Sequence, residues 1–151
     1  MKLFSLICMV LILSACSLPK TIAELETIDR KETFCNSDNL KLTKDKIYKR
    51  LAYCYNRTSS IPVVVSNASM KGVLTTIRSN SKVIEKRNAK DEPIYYVVSD
   101  GYFGFRLSLE SGDPEACPTI VTTKTMNFAW DRHATRIKTW LEDPKAGCQA
   151  W

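Results

Sequence analysis

Apolar positions along the chain change their spacing twice, and each change marks a change of element. In Thr43–Tyr55 (TKDKIYKRLAYCY) the residues Ile47, Leu51, Cys54 and Tyr55 fall on one face of a 3.6-residue period, which predicts a helix with Thr43 as its cap and Asn56 as its stop. After it the period drops to two. Ile61–Val65 (IPVVV), Val73–Arg78 (VLTTIR) and Lys82–Lys86 (KVIEK) are rich in β-branched residues and read as strands, with Ser79-Asn80-Ser81 as a hairpin turn between the last two. Ile94–Leu109 is the clearest local signal, because Asp100-Gly101 sits between two alternating runs and suits the positive φ values of a type I′ turn. In its second arm the alternation places Phe103, Phe105, Leu107 and Leu109 on a core face, and Tyr102, Gly104, Arg106 and Ser108 on a wet one. Ser111-Gly112-Asp113-Pro114 breaks the sheet and Thr119–Thr123 resumes it.

The helical period returns over Asn127–Glu142, where Met126, Trp130, Ile137 and Trp140 or Leu141 form an apolar stripe that ends at Asp143-Pro144. The order helix, strands, helix defines an α+β domain: an antiparallel sheet of about five strands with N- and C-terminal helices packed on one face. Such a two-layer layout resembles many small folds, the helix-grip and cystatin-like types among them, and implies no particular activity. With 151 residues, 44% of them hydrophobic and 25% charged, the chain is long enough for one such core and too short for two.

Upstream the pattern is different. Met1-Lys2 followed by the apolar run Leu3–Leu13 and the small residues Ser14-Ala15 has the layout of a secretory signal, and the run is too short to span a bilayer. Leu13-Ser14-Ala15-Cys16 resembles the lipobox of bacterial lipoproteins. That resemblance, confined to the first sixteen residues, implies cleavage before Cys16 and acylation of its sulfur. It also implies a chain anchored in the bacterial cell envelope. Ser17, standing where an aspartate would favour the inner membrane, points to the outer membrane facing the periplasm. The expected division is a signal at 1–15, a lipidated cysteine and tether at 16–33, and a single domain at 34–151. Within the tether Thr21 and Glu24 have capping-box spacing and Ile22, Leu25 and Ile28 recur at threes, so a short helix and a flexible linker both fit.

Export changes how the cysteines are read. Of six, Cys8 leaves with the signal and Cys16 takes lipid, so Cys35, Cys54, Cys117 and Cys148 remain for two disulfides in an oxidising compartment. Three pairings are open; proximity in sequence favours Cys35 with Cys54 and Cys117 with Cys148. Their spacing matches no zinc module, and no metal or cofactor is expected. The net charge of +6 falls by one when Lys2 is removed, leaving a modest basic excess concentrated in Lys41–Arg50 and Arg78–Lys90.

Candidate chemistry is sparse. His133 is the single histidine, so any imidazole-dependent hydrolase must use it, yet Asp131 two residues away on the same helix cannot orient it. No G-x-S-x-G nucleophile elbow and no phosphate-cradling glycine run occurs. Glu110, Asp113 and Glu115 cluster in a turn-like segment with nothing to raise their pKa values. Tyr96, Tyr102 and Arg106, on the face expected to be wet, are the candidate contact surface. These residues point to a non-catalytic binding module whose partner is another envelope protein or a cell-wall glycan, not a nucleic acid. The alternatives are a hydrolase using His133 and a carrier of an apolar ligand.

Overall fold

The computed structural model describes residues 18–67, 70–143 and 145–148. The segment that resembles a lipobox, Cys16 included, and Cys8 lie outside the described residues. Nine elements follow one another: α1 (Ile22–Thr27), β1 (Lys31–Asn36), α2 (Leu40–Tyr55), β2 (Arg57–Asn67), β3 (Met70–Arg87), β4 (Pro93–Ser99), β5 (Tyr102–Ser111), β6 (Thr119–Thr125) and α3 (Phe128–Glu142). The strands form one antiparallel sheet of six in the order β1-β6-β5-β4-β3-β2, so the fold is α+β as the periodicity predicts. Among the described residues no helix is long and apolar enough to cross a membrane.

Each helix starts where a side chain can accept from a bare backbone N–H. Thr21 caps α1 by accepting from Glu24 N at 3.2 Å, Asn39 caps α2 from Leu42 N at 3.0 Å, and Asn127 caps α3 from Ala129 N at 3.1 Å. Thr43 is therefore not the cap of α2. It lies one turn inside, fully buried, and its hydroxyl accepts from Asn36 Nδ2 at 2.7 Å. Asn56 does end that helix, and its Oδ1 then accepts from Val83 N at 2.7 Å, which extends the sheet's edge by a side chain.

α2 and α3 pack on one sheet face. Ile47, Leu51, Cys54 and Tyr55 from α2 and Ile137, Trp140 and Leu141 from α3 close over Tyr95, Val97, Phe105, Leu107, Leu109 and Val121, and all of these are buried. Trp140 is fully buried, and its indole N–H donates to Gly147 O at 3.2 Å. The short helix α1, within the segment expected to be a tether, lies on the other face. Its Leu25 is fully buried, and Phe103 N donates to Pro19 O at 2.8 Å, so the folded body starts near residue 19 and not at 34. β1, which the periodicity does not predict, joins the sheet beside β6.

Two local differences have identifiable causes. The ladder between β4 and β5 pairs Val97 with Phe105 but Val98 with Phe103, leaving Gly104 as an extra, bulged residue. The bulge reverses the alternation, so Phe103 stacks edge-on with Tyr96 on the α1 face while Phe105 enters the core. Gly104 is required there, because a Cβ would lie 2.4 Å from the Trp130 ring. The expected turn at Ser79-Asn80-Ser81 is instead continuous strand: β3 runs unbroken from Met70 to Arg87, and the ladder reverses between Asn67 and Met70. The reversal predicted at Asp100-Gly101 is present, with φ of 52° and 85°.

The disulfides join Cys35 to Cys117 and Cys54 to Cys148, not Cys35 to Cys54 and Cys117 to Cys148. Sheet order is the reason. β1 returns to the far edge and pairs with β6, placing Cys35 opposite Ile120 and within 5.5 Å (Cα–Cα) of Cys117. Cys54 in the last turn of α2 faces the chain that leaves α3, with its Cα 5.3 Å from that of Cys148. The bridges span 82 and 94 residues, separations at which the chain-entropy model assigns each about 4.5 kcal/mol.

Candidate functional site

The expected contact surface is covered. Tyr96 is buried and donates from its hydroxyl to Glu26 Oε1 at 3.2 Å, while Arg106 Nε lies 3.2 Å from the same carboxylate. Lys124 Nζ reaches Glu26 Oε2 at 3.4 Å and donates to the Glu26 carbonyl at 2.6 Å. Tyr96, Arg106 and Lys124 are neighbours across β4, β5 and β6, so one acid on α1 gathers all three. Tyr102, at the end of the hairpin, does not join them. Alternation correctly sets Tyr96 and Arg106 apart from the main core; it carries no sign that a helix from the expected tether would fold down on them.

The structure draws together a different group. Where β2 and β3 leave the sheet beside the first turn of α3, a cleft of about 210 Å³ is lined by Tyr55, Arg57, Trp130, Arg132 and His133, by the Cys54–Cys148 bridge, and by Ser59, Ser79, Ser81 and Ser99. The serines come from strand pairing: Ser59 lies opposite Ser79, Arg57 opposite Ser81, and Ser81 opposite Ser99. Two of these hydroxyls meet and a third turns to the backbone. Ser79 Oγ lies 3.3 Å from Ser99 Oγ and donates to Asp100 Oδ2 at 2.9 Å, and Ser81 Oγ donates to Arg57 O at 3.4 Å.

His133 forms the inner wall. Its Nδ1 is 2.5 Å from the Tyr55 hydroxyl, and its ring lies 4.6 Å from Trp130 between centroids, with Phe105 stacked behind at 6.4 Å. Burial, helped by the positive charge of Arg132 and Arg136, pushes the imidazole down to about 4, and burial pushes the Tyr55 phenol well above its ordinary value. The consistent arrangement is a neutral tyrosine donating to a neutral imidazole that carries its proton on Nε2. Asp131 is engaged elsewhere, pairing with Arg30 at 2.6 Å and accepting from Thr125 Oγ1 at 2.6 Å, in keeping with its place on the helix.

The cleft thus offers hydroxyl donors and acceptors, two guanidinium groups and an indole wall, a set suited to a polyhydroxylated or anionic ligand. The sequence singles out His133 but gives no sign that it converges with Arg57 and the serines; the Ser-rich flanks of β2 and β3 are the available signal. Among the described residues no three His, Cys, Asp or Glu side chains converge as a metal would need. Comparison with protein-family models, curated proteins and solved structures finds no match to the chain.

Proposed function

We propose that this protein is a lipid-anchored module of the bacterial cell envelope, held by Cys16 and probing the periplasmic space, that binds a cell-wall glycan in the serine-lined cleft without chemical turnover. The observation that carries the reading is the cleft itself. Ser59, Ser79, Ser81 and Ser99 provide a hydroxyl rim, and Trp130 supplies an apolar plate of the kind on which sugar rings rest. Arg57 and Arg132 add positive charge suited to the carboxylates of cell-wall polymers.

His133 favours binding over hydrolysis. An imidazole near 4 takes up few protons at neutral pH and is a weak base, and its Nδ1 is already engaged by Tyr55. The two disulfides fit an exported chain.

The test is co-sedimentation with purified cell-wall sacculi, comparing the native protein with Arg57→Gln and Ser99→Val. Retention of the native protein, reduced several-fold in both variants, is expected. Equal retention of all three, or none of the native protein, overturns the reading. Mass spectrometry of the protein from its natural source reads the anchor independently: the expected N-terminus is an acylated Cys16.

A further inference from the structure

β3 outlasts its neighbour. β4 pairs only as far as Ser81 opposite Ser99, whereas β3 continues back to Met70, paired on its other side with β2. The two strands thus project as an arm past the Asp100-Gly101 turn. In an antiparallel ladder successive residues turn their N–H and C=O groups to opposite neighbours, and two observations fix the phase here. Asn80 spends both groups on Asp100, accepting from its N–H at 2.9 Å and donating to its Oδ1 at 2.8 Å. Val83 N points the other way, to Asn56. Even-numbered residues of the arm in β3 therefore turn away from β2. The main-chain groups of Gly72, Leu74, Thr76 and Arg78 face an edge that no strand among the described residues occupies.

The opposite edge of the arm is closed to pairing. Pro62 lies opposite Thr76, a position whose main-chain groups point outward from the hairpin, and proline has no N–H to offer there. A two-stranded ribbon is marginal in water, so the open edge of β3 is where the arm gains a further strand.

We propose that this strand is the β3 arm of a second copy of the chain, antiparallel about a twofold axis through Thr75. That register lets Leu74 pair with Thr76 of the second copy and Gly72 with Arg78, so every free even-numbered group is used. Val73 falls opposite Ile77 of the second copy, and no two basic residues oppose each other. Lys71 falls opposite Ser79 of the second copy, so the register brings no like charges together. Pairing in this register runs from Gly72 to Arg78 and stops short of Asn80, whose main-chain groups the Asp100 turn already takes. The result is a continuous sheet in the order β2-β3-β3-β2, bounded at each end by Pro62, a closed isologous dimer that does not propagate.

The full-length chain, solubilised in mild detergent, is measured by sedimentation, with Thr75→Cys and Val64→Cys oxidised and run on non-reducing gels. A dimer at micromolar concentration is expected. So is a 75–75 bridge, identified by peptide mapping, since strand-paired Cα atoms approach within disulfide range. Val64→Cys, on the Pro62 edge, should remain monomeric on the gel. Thr76→Pro removes a free-edge donor without touching the β2–β3 ladder, and should weaken self-association at least roughly tenfold at an unchanged melting temperature. A monomeric native protein, an absent 75–75 bridge, equal bridging through position 64, or an unaltered dimer in Thr76→Pro would each overturn the proposal.

Discussion

Acid should weaken this fold through one side chain, and the amount can be worked out. His133 titrates near 6.5 in an unfolded chain and near 4 in the folded one. The folded value is the lower of the two, so above pH 6.5 both states are neutral at this site and its full contribution is present. As pH falls from 6.5 to 4 the unfolded chain takes up a proton that the native state refuses, and stability drops until both states are charged. A difference of about 2.5 units corresponds to about 3.4 kcal/mol; the ring is only partly buried, and solvent screening reduces this to about 2 kcal/mol. The assay is urea unfolding followed by tryptophan fluorescence at steps from pH 7.5 to 4.5, for the native protein and His133→Gln. Carboxylate titrations common to both cancel in the difference. The variant should be the less stable at pH 7.5, having lost the Tyr55 partner, and the gap should narrow by about 2 kcal/mol on acidification. A gap that is constant across the range refutes the buried neutral imidazole. Because the chain has one histidine, its ring protons can also be followed by NMR without assignment, and they should titrate near 4.

Gly104→Val should cost about 1–3 kcal/mol and alter tryptophan fluorescence, since the new Cβ meets the Trp130 ring at 2.4 Å; unchanged melting would argue against the bulge. Non-reducing peptide mapping should recover Cys35 with Cys117 and Cys54 with Cys148, and the double variant Cys54→Ser, Cys148→Ser should lose roughly 4 kcal/mol in chemical denaturation. Glu26→Ala leaves Arg106 and Lys124 without their shared carboxylate, and should destabilise by about 1–2 kcal/mol and speed amide exchange in α1. Protection in α1 equal to that of the native protein would show that Glu26 does not pin the helix.

Features that depend on a few consecutive residues are legible in the amino-acid sequence alone. Asp100-Gly101 needs only its own positive φ to turn the chain, Asn56 stands where the helical pattern of α2 runs out, and Ile47, Leu51, Cys54 and Tyr55 share a face because 3.6 residues complete a turn. An even set of cysteines in a chain with the layout of a secretory leader likewise points to two bridges, whatever their partners.

What depends on distant segments meeting is decided by tertiary structure alone. Nothing near Cys35 in sequence says that β1 will cross to the sheet edge beside β6, so contour distance suggests Cys54 while spatial distance selects Cys117. Ser79-Asn80-Ser81 has turn composition, but pairing with β2 on one side and the Asp100 carboxylate on the other holds it extended. A single bulged glycine, placed to admit Trp130, moves Phe103 to the opposite face; and α1, short and half-polar, becomes part of the fold because Glu26 finds Tyr96, Arg106 and Lys124 on three neighbouring strands. Periodicity records which way a side chain faces relative to its own backbone, and only packing decides what it faces.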